Sequence, residues 1–166
     1  LFFMASYDVD RFRAFVMSPS FNDTYNIPVE IMATLIADDE ALARERLRTL
    51  LSAHDGVEIV AEAENGLTAL QACAEFRPDL VLLDIAMPGV DGLEAARHLT
   101  AFDPRPAVVF CTAYDEHALS AFEAEAIDYL MKPIRPERLA VALERARTFM
   151  SGRETLAPAE PSRQPR

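Results

Sequence analysis

Three acids and one lysine in this 166-residue chain have the types and spacing to bind a metal ion and a phosphoryl group. Asp38 and Asp39 follow one apolar run, and Asp84 follows another. If those runs are neighbouring parallel strands, the carboxylates meet and repel one another unless a hard cation such as Mg²⁺ lies between them. Lys132, the single lysine, follows a further apolar run, where its ammonium can neutralise a phosphoryl oxygen. The pattern predicts a site for Mg²⁺ and phosphate.

The charges of this predicted pocket would cancel once Mg²⁺ is bound, because the three carboxylates face one ammonium and a divalent cation. The pocket would then be ready to receive an anion. Phosphorylation of Asp84 would change its charge from −1 to about −2. The Thr112 hydroxyl, at the end of another apolar run, and the backbone N–H groups after Asp84 are the donors available to stabilise the added charge.

Such a site requires a fold that brings the ends of separate apolar runs together. Residues 32–150 alternate short apolar runs with amphipathic stretches, which is typical of a parallel sheet covered by helices on both faces. In an open sheet of this kind, ligands bind beyond the carboxyl ends of the strands. The predicted strands are Thr34–Ala37, Val57–Ala61, Leu80–Leu83, Ala107–Cys111 and Asp128–Met131.

Apolar residues at helical spacing follow each predicted strand, so the sequence predicts a (βα)5 arrangement. The fifth helix is predicted from about Pro136, a suitable proline for a first turn, to about Met150. The other four helices are indicated by Ala43, Leu47, Leu50 and Leu51, by Leu67, Leu70 and Cys73, by Leu93, Ala96 and Leu99, and by Leu119, Phe122 and Ala126.

Both ends of the chain differ in composition from the predicted domain of residues 32–150. Residues 1–31 hold five of the ten Phe without clear periodicity. We interpret them as an N-terminal extension. It either derives from an upstream start or is an aromatic arm that packs on the domain or a partner. Residues 151–166 contain Gly152 and three Pro, which predicts a Pro-containing linker or tail.

The composition, with 51% apolar and 26% charged residues, is that of a soluble globular protein. No segment approaches the roughly 20 apolar residues of a membrane span, and the first ten residues lack the pattern of a signal peptide. We therefore expect a cytoplasmic protein without membrane contact. The net charge of −11 predicts that this chain does not bind nucleic acid. Cys73 and Cys111 lie in apolar stretches and are predicted to be buried thiols.

Four motifs, in order along the chain, closely resemble the receiver domain of bacterial two-component response regulators. They are the Asp38-Asp39 pair, the stretch from Leu82 to Gly92, Thr112-Ala113 and Lys132-Pro133. Each motif is weak alone, but together, at the ends of predicted strands, they are specific. The resemblance covers residues 33 to about 148. It implies a flavodoxin-like, doubly wound (βα)5 sandwich with strand order 2-1-3-4-5, acting as a phosphorylation-dependent signalling switch rather than as an enzyme.

The stretches from Ala43 to Leu47 and from Ala118 to Pro133 are most similar to LytR/AlgR-type regulators. This similarity implies that the full-length protein is a transcriptional regulator that binds DNA through a C-terminal LytTR-type domain missing from this chain. The family also commonly forms homodimers through the fourth helix, the fifth strand and the fifth helix.

The resemblance implies that Asp84 is the phosphoacceptor and receives its phosphoryl group from a sensor histidine kinase. Asp39 and Asp84 would ligate Mg²⁺ directly, together with the backbone carbonyl of Ala86. Asp38 would act on the metal through a bound water.

The resemblance also implies which residues would read the phosphorylated state. Thr112 would bind the phosphoryl group, Lys132 would pair with it, and Tyr129 would swing inward as Thr112 moves. Ala113 and Pro133 would support these residues, and the Lys132–Pro133 peptide bond would be cis.

Alternative interpretations stay open from the sequence. The chain could be a receiver-like interaction module that works without phosphorylation. A Mg²⁺-dependent phosphohydrolase of the haloacid-dehalogenase type would also use an aspartyl nucleophile, but it requires an acid two residues later, where this chain has Ala86. Asp38 and Asp39 could also serve as the N-cap of the first helix.

Overall fold

The computed structural model describes residues 30–113, 120 and 123–155, and these residues form a five-stranded sheet. The strand order is β2-β1-β3-β4-β5, and every neighbouring pair is parallel, as the sequence predicts. The strands are β1 (Met32–Ala37), β2 (Val57–Ala63), β3 (Leu80–Leu83), β4 (Ala107–Thr112) and β5 (Asp128–Met131). The predicted flavodoxin-like topology is confirmed.

Helices follow the strands, and those with bounds in the described part of the chain are α1 (Ala41–Leu51), α2 (Gly66–Phe76), α3 (Gly92–Leu99) and α4 (Pro136–Thr155). The predicted fifth helix is therefore α4. The predicted fourth helix falls largely outside the described residues, as do residues 1–29 and 156–166. Ala126 was predicted in that fourth helix but lies beyond a turn, because Glu125 adopts a φ of +59°.

The helices cover both faces of the sheet and create two apolar layers. On one face, α1 and α4 pack through residues such as Leu47, Leu139 and Leu143. On the other face, α2 and α3 pack through small side chains such as Ala69 and Ala95. Strands β1, β3 and β4 are buried along their whole length, as expected for central strands covered on both faces. Cys73 and Cys111 are buried free thiols, as predicted.

Helix α2 begins at a capping box, in which the Asn65 side chain accepts from Thr68 N–H and the Thr68 side chain accepts from Asn65 N–H. The buried residues of this helix are Gly66, Ala69 and Cys73. Leu67, predicted on the buried face, is instead 55% exposed. The prediction was wrong because the face of α2 that packs on the sheet carries these smaller side chains, which leaves Leu67 on the outer side.

Helix α4 begins at Pro136 as predicted but continues to Thr155, past the expected end at about Met150. Arg153 explains the extension, since it donates to Asp79 Oδ1 at 3.1 Å and to the backbone carbonyl of Arg105 at 2.7 Å. Asp79 is 2% exposed, so this ion pair anchors the last turn to the amino edge of the sheet. Among the described helices, none is both long and apolar enough to cross a bilayer.

Gly92, the first residue of α3, allows the helix to approach the end of β3 very closely. A Cβ atom at this position would lie 2.0 Å from the backbone oxygen of Asp84 and 2.9 Å from the Cα atom of Ile85. Since both contacts are with backbone atoms, no rotamer change could relieve them. At Gly152 in α4, by contrast, a Cβ atom would meet nothing within 4 Å.

We predict opposite effects of alanine at these two helical glycines. Gly92→Ala should destabilise the fold by about 1–3 kcal/mol, because the added methyl group must displace the backbone at Asp84. Gly152→Ala should stabilise it by about 0.5–1 kcal/mol, because alanine is the better helix former. Urea unfolding followed by circular dichroism measures both, and equal stability of Gly92→Ala and the wild type would contradict the close approach.

Candidate functional site

The carboxyl edge of the sheet collects the residues that the sequence singled out. Backbone hydrogen bonds fix two of the junctions between neighbouring strands. Asp84 N–H donates to the Ala37 carbonyl at 2.8 Å, and Lys132 N–H donates to the Thr112 carbonyl at 2.8 Å. Asp84 thus lies beside the end of β1, and Lys132 lies beside the end of β4. The positions of these side chains follow directly from the order and register of the strands.

Three carboxylates converge at this edge. One oxygen each of Asp38, Asp39 and Asp84 lies within 4.8 Å of the others. Asp38 and Asp84 are buried, whereas Asp39 is exposed. Oxygen donors of this type and number, open to solvent on the Asp39 side, suit Mg²⁺, which keeps several waters when it binds to proteins. The donor set therefore fits the predicted metal.

Lys132 extends from the end of β5 into the acid cluster. Its Nζ atom lies 2.7 Å from Asp38 Oδ2 and 3.5 Å from Asp84 Oδ2. The shorter contact is thus with Asp38, a pairing that the sequence did not predict. A single ammonium shared by two buried carboxylates leaves the cluster negative, so the site favours a further cation.

The surroundings of Asp84 and Lys132 shift their protonation in the same direction. Burial raises the pKa of Asp84, and the Asp38 carboxylate raises it further, whereas Lys132 and the Ile85 N–H group act to lower it. Burial alone would lower the pKa of Lys132, but the hydrogen bond to Asp38 and the charge of Asp84 outweigh it, so the pKa is raised. Lys132 therefore stays charged, while ionised Asp84 is disfavoured in the absence of a cation.

Asp38 is buried, and hydrogen bonds reach its backbone and both carboxylate oxygens. Its Oδ1 atom accepts from Glu40 N–H at 2.9 Å, and its own N–H group donates to the Ala63 carbonyl at 3.0 Å. The N-cap of α1 is Glu40, and no side chain caps it. The alternative role of the acid pair as the helix N-cap is therefore wrong, because the helix begins one residue later than that role requires.

The loop after Asp84 folds back on itself before α3 starts. Gly92 N–H and Met87 N–H both donate to the Ile85 carbonyl, at 2.9 and 3.0 Å. Gly89 adopts a φ of +74°, which favours glycine at this turn. Ala86 is exposed in this loop and directly follows the buried Ile85.

The remaining predicted residues lie on β4, β5 and the loops that follow them. Thr112 is fully buried, and Ala113 after it is exposed. Tyr129 is half-buried and pairs in register with Phe110, two residues before Thr112, so Tyr129 and Thr112 share one face of the sheet. Pro133 is exposed, and the Lys132–Pro133 peptide bond is cis, as the resemblance implies.

Arg44 is the site residue that the sequence analysis did not recognise as functional. It lies in α1, six residues after Asp38, and its Nη1 atom donates to the Asp38 backbone carbonyl at 2.8 Å. The available signal was its place in the Ala43 to Leu47 stretch, which contributed to the family resemblance. The six-residue separation of Arg44 from Asp38 does not by itself predict a hydrogen bond between the arginine side chain and the Asp38 backbone.

Comparison with known sequences agrees with this geometry. The family described as the response regulator receiver domain matches residues 34–144. The chain is 52% identical over 116 residues to the positive alginate biosynthesis regulatory protein of Pseudomonas aeruginosa, which covers 69% of this chain and 47% of that protein. It is 50% identical over 119 residues to the transcriptional regulatory protein BtsR of Salmonella typhi, which covers 70% of this chain and 48% of that protein.

Solved structures agree as well. The response regulatory domain of protein mrkE from Klebsiella pneumoniae superposes with a TM-score of 0.65 at 35% identity, over 75% of this chain and 99% of that chain. A LuxR-family two-component response regulator from Aurantimonas sp. SI85-9A1 gives a TM-score of 0.66 at 32% identity, over 74% of this chain and 87% of that chain.

A doubly wound sheet with an acid cluster and a lysine at its carboxyl edge places the chain among the open α/β domains that bind ligands at this edge. Within that class, the chain belongs to the response regulator receiver domain family. It is the receiver domain of a two-component response regulator, and domains of this family have a regulatory role. The chain spans about half the length of the regulators from P. aeruginosa and S. typhi that it resembles.

The raised pKa of Asp84 predicts that this residue destabilises the fold at neutral pH. Because the folded state has the higher pKa, the penalty is present when Asp84 is ionised and disappears as the pH falls through the ordinary aspartate range. Asp84→Asn should therefore be more stable than the wild type at pH 7 in metal-free buffer, by more than the roughly 0.5 kcal/mol within which neutral surface substitutions fall. The gain should shrink as the pH approaches about 4.

Thermal unfolding at several pH values tests this expectation. Asp55→Asn is the matched control, because Asp55 is exposed and its substitution should change the stability by less than about 0.5 kcal/mol. A destabilised Asp84→Asn variant at pH 7 would show that the pairing with Lys132 outweighs burial.

Proposed function

We propose that this chain is a phosphorylation switch that receives a phosphoryl group on Asp84 from a sensor histidine kinase in the presence of Mg²⁺. The observation that carries the proposal is the arrangement around Asp84. Its carboxylate lies in a cluster with Asp38 and Asp39, and its Oδ2 atom is 3.5 Å from Lys132 Nζ. An acidic nucleophile, a cation site and a fixed ammonium are the parts that phosphoryl transfer to aspartate requires.

In the proposed reaction, an oxygen of the Asp84 carboxylate attacks the phosphorus atom of a phosphohistidine on the kinase. A P–O bond forms and the P–N bond breaks, and its electron pair returns to the imidazole nitrogen. The products are the aspartyl phosphate and a free histidine. Burial around Asp84 excludes water from the side chain, which is 7% exposed, while the opening beside Asp39 admits the phosphoryl donor.

Asp39, Asp84 and the backbone carbonyl of Ala86 would hold Mg²⁺, and Asp38 would contact it through a bound water. Bound there, the metal would neutralise charge on the phosphoryl oxygens. The proposal is supported by the three converging carboxylates.

Lys132 would exchange partners during the reaction. Before transfer, its shorter contact is with Asp38 at 2.7 Å. After transfer, the charge at position 84 increases to about −2, and the ammonium gains by pairing with the phosphoryl oxygens. The Thr112 hydroxyl would bind another of these oxygens. Tyr129 lies on the same face of the sheet as Thr112. A movement of Thr112 would therefore free space into which the Tyr129 ring could turn.

The proposed output is a LytR/AlgR-type transcriptional response. The regulators from P. aeruginosa and S. typhi are about twice as long as the matched region, which leaves room for a C-terminal DNA-binding domain of the LytTR type. The switch would change the surface used for homodimerisation, formed by the predicted fourth helix, β5 and α4. That helix falls mostly outside the described residues, but β5 and α4 expose the apolar side chains Met131 and Val141, which are 42% and 43% exposed.

A haloacid-dehalogenase type of phosphohydrolase is less well supported by the site. Such an enzyme needs a second acid two residues after the nucleophile to act as a general acid and base. Here that position is the methyl group of Ala86, and no carboxylate replaces it in the sequence of the loop from Ile85 to Val90. An interaction module that works without phosphorylation remains the alternative that experiment must separate.

We predict that acetyl phosphate with Mg²⁺ adds a single phosphoryl group at Asp84, detected by intact-mass analysis and peptide mapping. Asp84→Asn should abolish the adduct, since the amide is a poor nucleophile. The control Asp55→Asn, at an exposed position, should retain it. Omission of Mg²⁺ should suppress it.

The other outcomes separate the alternatives. An unmodified wild-type protein that nevertheless binds Mg²⁺ would favour the interaction module. Rapid release of inorganic phosphate without an adduct would favour the hydrolase. Retained modification of Asp84→Asn at another residue would remove Asp84 from the proposed role.

For dimerisation, we predict that Val141→Asp raises the dimer dissociation constant of the phosphorylated domain by at least about tenfold, because a charge would replace an apolar contact. Leu67→Asp is the control, since Leu67 is 55% exposed on α2, on the other face of the sheet. Analytical ultracentrifugation measures both. Equal dissociation constants for the two variants would exclude this surface.

A further inference from the structure

Arg44 connects three elements at the base of the acid cluster. Its guanidinium lies between the end of β1, the end of β2 and the first turns of α1, and its side chain is 14% exposed. Nη1 donates to the Asp38 carbonyl at 2.8 Å. Nε lies 3.4 Å from Glu62 Oε1, and Nη2 lies 3.6 Å from Glu64 Oε1. A planar guanidinium held on several sides has little freedom to rotate.

The bond to the Asp38 carbonyl fixes the peptide plane that joins Asp38 to Asp39. On the other side of Asp38, its N–H group is bonded to the Ala63 carbonyl at 3.0 Å. The orientation of that peptide plane determines the direction in which the Asp39 side chain leaves the backbone. Since Asp39 is exposed, neighbouring side chains constrain it less than they constrain Asp38 and Asp84. The position of its carboxylate therefore depends strongly on the backbone.

We propose that Arg44 is a positioning residue for the divalent cation, because it holds the Asp38–Asp39 peptide so that the Asp39 carboxylate faces Asp84. The inference rests on the proposed function, in which this acid cluster binds Mg²⁺. Groups that orient metal ligands in this indirect way commonly change metal affinity by about 10–100-fold when they are removed.

The charge around Arg44 indicates that it acts through geometry rather than through its net charge. Glu62 and Glu64 balance the charges of Arg44 and of Arg48, whose Nη1 atom lies 2.6 Å from Glu62 Oε2. The four side chains together are neutral. Arg48 lies one turn further along α1, and its side chain is 47% exposed. It shares the helix, the charge and the Glu62 partner of Arg44, which makes it the matched control.

The test is a calorimetric titration of the unphosphorylated domain with Mg²⁺. We expect Arg44→Ala to raise the dissociation constant about tenfold, whereas Arg48→Ala should leave it unchanged within about twofold. Arg44→Lys should fall between them, because an ammonium can reach the carbonyl but cannot also span both glutamates. At saturating Mg²⁺, the rate of phosphorylation by acetyl phosphate should return to that of the wild type in each variant.

Melting curves show whether each variant is folded, so a loss of Mg²⁺ affinity in a folded variant reports on positioning. If Arg44→Ala does not fold, Arg44→Lys replaces it in the titration. If the wild type binds Mg²⁺ and the folded Arg44 variants bind it equally well, the positioning role is overturned while the proposed function stands. Equal weakening by Arg44 and Arg48 substitutions would show an effect of charge and would also overturn it. If the wild type neither binds Mg²⁺ nor accepts phosphate, the proposed function itself fails, and the positioning role fails with it.

Discussion

The repulsion between two buried carboxylates, Asp38 and Asp84, is the constraint around which this domain is built. A single ammonium, Lys132 Nζ, lies 2.7 Å from one and 3.5 Å from the other, so it cannot satisfy both fully. Buried charges without full compensation cost stability. The fold accepts this cost at the place where a bound cation would relieve it.

The backbone around these side chains limits how far Asp38 and Asp84 can move apart to reduce their repulsion. Asp84 N–H is bonded to the neighbouring strand at Ala37, and Lys132 N–H is bonded to Thr112. Close contact at Gly92 leaves no room for the loop after Asp84 to withdraw. Because these backbone bonds hold the strand ends in place, a change of charge at Asp84 would be answered first by the Lys132 side chain, which already contacts both acids.

The sequence predicts the strands and their order because each polar residue of the site marks the point where a buried strand ends. The preference of Lys132 for Asp38 could not be predicted, since the distances from its Nζ atom to the two competing acceptors differ by less than about 1 Å. Leu67 and the end of α4 were predicted incorrectly for a related reason. Packing against the sheet selects Ala69 over Leu67, and a distant buried acid, Asp79, holds Arg153 and extends the helix.

The extent of α4 determines how a signal could leave the domain. The helix starts at Pro136, just after Lys132, and its last turn is bonded through Arg153 to Asp79 at the opposite edge of the sheet. Its 20 residues span about 30 Å. The two ends of α4 thus lie at opposite edges of the sheet. Under the proposed function, the phosphorylated state would be read along the length of this helix and on β5, which expose the apolar side chains of Val141 and Met131.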